Sequence, residues 1–94
     1  AVATSNDAVW ALSPNEARLW RIDPRTNAVV ASVAVSANPS AVVASGLTIW
    51  VASESTGTLS RIDPASNAVV QTVFLNIPLG GVSLADNRLW VAVR

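Results

Sequence analysis

Three tryptophans, Trp10, Trp50 and Trp90, stand forty residues apart, and the chain between them repeats in step without insertion or deletion. Arg21-Ile22-Asp23-Pro24 returns as Arg61-Ile62-Asp63-Pro64, and Asn27-Ala28-Val29-Val30 returns as Asn67-Ala68-Val69-Val70. Displacing the sequence by forty positions matches about a third of the overlapping residues. A fixed period of about 40–45 residues built from short β-type runs marks a propeller blade, a unit that buries its faces only against neighbouring blades.

Each unit reads as four short strands separated by turn signals. In the second unit, Ala41 to Ala44 is the first strand, Ser45-Gly46 a tight turn and Leu47 to Ala52 the second strand. Ser53 to Gly57 is a polar loop, Thr58 to Ile62 the third strand, Asp63 to Asn67 a turn, and Ala68 to Leu75 the fourth strand. Proline presets the first corner of the Asp-Pro turn, while the aspartate carboxylate accepts N–H bonds just downstream. Asn27 and Asn67 suit the left-handed position that returns the chain into a hairpin. The runs are rich in Val, Ile, Trp and Thr and too short for helices.

Leu47, Ile49 and Val51 share one face of the second strand, and Thr48, Trp50 and Ala52 share the other. Both faces carry material to bury, as a sheet stacked between two others requires. The fourth strand alternates more weakly, with Ser32, Gln71 and Thr72 intruding, which fits an outer strand open to water. The expected architecture is all-β: units 1–40 and 41–80 and a half unit 81–94, or two and a half blades of antiparallel strands.

With 51% hydrophobic and 13% charged residues, the chain is not a disordered tail. Six arginines balance six acids without a basic run, which argues against nucleic acid or an anionic membrane as partner. The apolar runs are short and punctuated, so neither a signal peptide nor a spanning helix is expected. The absence of cysteine removes disulfides and thiolate metal sites. Lysine, histidine, tyrosine and methionine are absent as well, a narrow alphabet that fits a GC-rich genome or a deliberately simplified sequence.

Leu47-Thr48-Ile49-Trp50-Val51-Ala52-Ser53 and Leu59-Ser60-Arg61-Ile62-Asp63-Pro64-Ala65-Ser66-Asn67-Ala68-Val69-Val70 resemble the blade signature of YVTN-type propellers, relatives of the NHL and virginiamycin B lyase-like repeat proteins. The resemblance covers essentially the whole chain. It implies a toroid of four-stranded blades, often in bacterial exported or surface proteins. It implies far less about activity, because propeller families share a scaffold and differ in their sites. Lyase members of the wider group use histidine in catalysis, and this chain has none.

The tryptophans could stack on flat ligands, but a residue recurring at one blade position is expected in the seams between blades. Trp20 differs, because its repeat counterpart is Ser60; packing near the outer part of the blade, or an exposed contact, would account for it. Arg-Ile-Asp-Pro is expected to be a capped turn with an exposed same-face charge pair rather than an acid–base site. Glu16 and Glu54 lie in loops between second and third strands, and Asn38 and Asn76 lie in the connections Ser36–Ser40 and Asn76–Gly81. Loops of these two kinds share one rim, where propellers usually take ligands. These residues and Trp20 are the weak binding candidates; paired carboxylates could hold a metal or move a proton, yet loop glutamates are ordinarily just solvated. No catalytic residue, metal site or cofactor is expected; no Ser-His-Asp set can be drawn from these residues, and Leu79-Gly80-Gly81 lacks the rest of a phosphate loop.

Propellers close with about four to eight blades, so two and a half blades leave faces and edges open. The chain is therefore expected to be a piece of a longer propeller or to assemble with copies of itself. In one arrangement, the last strand pair of one copy replaces the first pair of its neighbour. Three copies then give six blades and four give eight, provided the rotation closes. The functional expectation is a non-catalytic scaffold or binding module that completes its ring by self-association, with a small-molecule or protein ligand at the rim loops. The alternatives are an excised fragment of a lyase-like propeller enzyme and an engineered or ancestral-type propeller with a purely structural role.

Overall fold

The computed structural model describes residues 1–5, 8–45, 48–85 and 88–93, which form ten strands and no helix. The first sheet holds β1 (Val2–Ser5), β2 (Ala8–Ser13), β3 (Arg18–Asp23) and β4 (Ala28–Ala34) in sequence order. The second holds β5 (Ala41–Ser45), β6 (Thr48–Ser53), β7 (Thr58–Asp63) and β8 (Ala68–Phe74). Strands β9 (Leu79–Ala85) and β10 (Arg88–Val93) pair as a hairpin. All neighbouring strands are antiparallel, giving two complete blades and the inner half of a third.

The second unit's strands fall within a residue of their expected bounds; Gly46 and Leu47, placed by the sequence in its first turn and second strand, lie outside the described residues. The third unit departs from the repeat, since β9 starts at Leu79, ahead of the Gly81 boundary. The Leu79 N–H donates to the Glu54 carbonyl at 2.7 Å and its side chain is fully buried, so the incoming chain is pinned before the repeat frame begins.

The Asp-Pro turns form as their chemistry dictates. Asp23 Oδ1 accepts the Arg25 N–H and Asp63 Oδ1 accepts the Ala65 N–H, each at 2.9 Å. Asn27 and Asn67 take the left-handed conformation, with φ of 58° and 54°, and each donates its N–H at 2.8 Å to the carbonyl of the aspartate that opens the turn. A β-bulge follows in both blades: Arg21 and Ile22 pair with Ala31 and Val29, and Arg61 and Ile62 pair with Gln71 and Val69. Val30 and Val70 are the extra residues, and such bulges sharpen local twist.

Stacking supplies the core. Directly paired strand residues point to the same side of a sheet. Ala8, Trp10, Leu12, Leu19 and Val33 on the first sheet thus meet Val42, Ile49, Val51 and Ile62 on the second. The other face of the second sheet, with Trp50, Ala52 and Leu59, packs against Leu79, Val82, Leu89 and Val91 of the half blade. The middle sheet is covered on both sides, as its strand pattern requires. Strand β5 lies against β1 and β9, so the first strands line the inner edge. Strands β4 and β8 are outermost and mostly exposed.

The repeated tryptophans follow this layering. Trp10 is 0% exposed, Trp50 is half-buried, and Trp90 is 57% exposed. The expected seam position is therefore filled at Trp10, partly covered at Trp50, and open at Trp90. The difference is physical, because only two strands stack on Trp50 and none on Trp90.

Candidate functional site

The rim formed by the turns 14–17 and 54–57 and the connections 35–40 and 75–78 is tied by main-chain bonds and by the Ser40 and Ser53 hydroxyls. Ser40 N donates to Ala52 O at 2.8 Å, Glu54 N donates to Ser40 Oγ at 3.0 Å, and Ser53 Oγ donates to Ala37 O at 3.1 Å. Val35 N bonds Ala17 O and Leu75 N bonds Gly57 O in the two blades alike. These contacts set the path from one blade to the next.

Four of the sequence candidates belong to this rim. Glu16 is exposed and its Oε1 accepts from Ser13 Oγ at 2.9 Å, within its own turn. Glu54 is half-buried and grips both connections through its backbone. Asn38 and Asn76 are exposed with φ of 57° and 60°, a left-handed conformation that asparagine tolerates. Among the described residues, no group of three or more His, Cys, Asp or Glu converges to hold a metal ion.

Trp20 lies elsewhere. It is half-buried on β3, paired with Ala11 and Ser32, and shares their side of the first sheet. That side also carries Val2, Val9 and Ile22. It corresponds to the face of the second sheet that bears Val42, Ile49, Val51 and Ile62 and is buried against the first sheet. The opposite end of the stack presents Ser83, Trp90 and Ala92 on the half blade, beside the free edge of β10. Val2 is 67% exposed. The two ends are thus unpartnered versions of the two sides of the internal seam.

Arg21 is the residue the sequence pattern misplaces. It was expected to form a same-face pair with Asp23, but its guanidinium instead crosses to the second blade. There it donates to the Pro64 carbonyl and, at 2.9 Å, to Asn67 Oδ1, while lying 5.3 Å from the centre of the Trp10 ring. Asp23 pairs with Arg25, with Nε at 3.3 Å from Oδ1. A charged donor that reaches two turn acceptors and covers a buried indole ties the seam where the blades are outermost. The forty-residue repeat of the arginine with its tryptophan and turn was the available signal.

The Arg25 N–H, and then its guanidinium, hold the Asp23 carboxyl below its ordinary value of 3.8. A depressed carboxylate favours the folded state above the ordinary value, and that contribution is lost as pH falls through the folded-state value. The stability difference between the wild type and Asp23→Asn is therefore expected to shrink with acidification below pH 3.8. Thermal unfolding of both proteins across the acid range checks this.

No family model matches the chain, and no curated protein matches it. Solved structures do. Kuenenia stuttgartiensis hydrazine synthase superposes with a TM-score of 0.87 at 17% identity, over 98% of this chain and 28% of that one. BamB from Moraxella catarrhalis gives 0.82 at 16% identity, again over 98% and 28%. Myxococcus xanthus glutaminyl cyclase gives 0.71 at 12% identity, over 98% and 42%. The chain thus spans little more than a quarter of the length of the first two. At these identities the likeness is one of fold, and the fold is that of a β-propeller segment.

Proposed function

We propose that this chain is a non-catalytic β-propeller scaffold whose two open seam faces bind further blades of the same kind, so that copies associate head to tail toward a closed ring. One observation carries the reading: the surfaces that meet at the Trp10 seam recur without cover at the two ends, around Trp90 and around Val2, Trp20 and Ile22. Apolar faces of this kind are stabilised by removal from water, and a heterologous contact that repeats by rotation closes into a ring. The resemblance to YVTN and NHL-type blades supports the same assignment, with an exported or surface setting and with rim loops free to take a small molecule or a protein. The alternative, a fragment of a lyase-like enzyme, would need its catalytic histidine from another part of a longer protein, since this sequence has none.

Light scattering on the purified 94-residue chain tests the reading. A particle several times the 9.8 kDa chain mass is expected, with three copies giving six blades and four giving eight under strand replacement. A well-folded monomer at micromolar concentration would overturn it.

A further inference from the structure

We propose that Arg61 is the receptor for the Asp23–Asn27 turn of a second copy, which sets its β3–β4 pair beside the free edge of β10 and completes the third blade. The proposal rests on the assembly reading above and specifies how the copies join.

The template lies within the chain. Arg21, paired with Trp10 across β2 and β3, binds the 63–67 turn of the next blade at the Pro64 carbonyl and Asn67 Oδ1. Arg61 is paired with Trp50 in the same register. The side chain of Arg61 is exposed and makes no hydrogen bond, ion pair or ring contact among the described residues. The surface beside it is a depression lined by Arg61, Asp63, Val70 and Gln71. The repeat equivalent of the turn that Arg21 holds would be an Asp-Pro turn in the outer half of a third blade, and a second copy carries such a turn at 23–27.

The other half of the contact is preformed. The 23–27 turn has the same Asx bond at 2.9 Å, the same left-handed asparagine and the same main-chain bond at 2.8 Å as the turn that Arg21 holds. It offers the Pro24 carbonyl and Asn27 Oδ1 as acceptors, and Asn27 is exposed. Seating this turn on Arg61 brings the second copy's β3 alongside β10. If the β2–β3 register carries over, Trp90 stands opposite the second copy's Arg21, as Trp10 stands opposite Arg21 within the chain. The second copy's β1–β2 pair gives way to β9–β10. One hairpin replaces its repeat equivalent, so the ladder lost at β2–β3 is regained at β10–β3. Exchange of an identical element between copies is a low-cost route to oligomers; here the replacing hairpin is the repeat equivalent, with Trp90 in the place of Trp10.

Because the chain has no cysteine, engineered thiols report single positions. Gln71→Cys beside Arg61 and Thr26→Cys in the turn are both on exposed residues and leave Arg61 and Asn27 intact. The two variants are mixed and treated with a short bis-maleimide. The expected result is a mixed dimer joined between positions 71 and 26. Arg61→Ala in the Gln71→Cys copy is expected to weaken association about tenfold or more, as loss of a charged hydrogen-bond donor does. Its unchanged circular dichroism would show that the blade still folds. An oligomer by light scattering without the 71–26 link, or with a link indifferent to Arg61→Ala, overturns the Arg61 contact and leaves self-assembly standing. A folded monomer without the link overturns both.

Discussion

Trp10→Ala is expected to remove about 3–5 kcal/mol of folding stability, the range for truncating a large aromatic in a packed core. A domain of this size has only about 5–15 kcal/mol in total, so the variant should be partly unfolded or close to it. The equivalent change at the third repeat, Trp90→Ala, should shift folding stability by about 0.5 kcal/mol or less, as at other exposed positions. Both residues occupy the same place in a six-residue second strand of their unit. Their surroundings differ: Trp10 is sealed between sheets by Val42, Ile49, Val51 and Ile62, and Arg21 lies over its ring. Trp90 faces outward at 57% exposure. Urea unfolding followed by circular dichroism, at chain concentrations below those at which copies associate, checks the contrast, because the proposed strand replacement would put Trp90 in the place of Trp10 and add to apparent stability. Equal losses at the two positions would contradict the layered core.

The contrast shows what the repeat makes legible. Strand order, turn positions and the left-handed asparagines follow from local chemistry, because Asp-Pro and the Asn four residues later act within a single hairpin. The double burial of the middle sheet was legible for the same reason, since alternation along β6 needs only the strand itself. Burial of the tryptophans was not. It depends on how many strands stand on the next layer, so identical motifs at 10, 50 and 90 end in different environments. Arg21 was misread because its acceptors, at Pro64 and Asn67, lie a full repeat away, whereas the i, i+2 rule considers only Asp23. The bulges at Val30 and Val70 left no mark either, since Asn-Ala-Val-Val reads as a plain strand start. Among the binding candidates, Asn38 and Asn76 take left-handed conformations in the blade connections, Glu54 holds the connections through its backbone, and Trp20 lies on an open seam face.

Gly57→Ala is expected to cost about 2–4 kcal/mol, combining a left-handed alanine at about 1–2 kcal/mol with disruption of the connection that lies over it. Gly57 has φ of 72°, and an added Cβ would stand 2.9 Å from the Ile77 nitrogen and closer still to the Ile77 carbonyl oxygen. Those are backbone atoms in a segment fixed at both ends, by Leu75 N to Gly57 O at 2.8 Å and Leu79 N to Glu54 O at 2.7 Å. The segment cannot move aside without breaking one of these bonds. The repeat supplies the control. Ala17 occupies the equivalent position with φ of 51°, and the corresponding bond, Val35 N to Ala17 O at 3.0 Å, is still made. Ala17→Gly should change stability by less than about 1 kcal/mol, because relief of the left-handed strain is offset by the greater freedom of glycine in the unfolded chain. Urea midpoints for the two variants give the comparison, and amide exchange at Leu79 reports whether the bond to Glu54 has opened. The connection 75–78 carries the half blade onto the Trp50 side of the second sheet. Its loosening would expose Ala52, Leu59 and Leu79 together, so Gly57→Ala should also weaken the proposed association between copies.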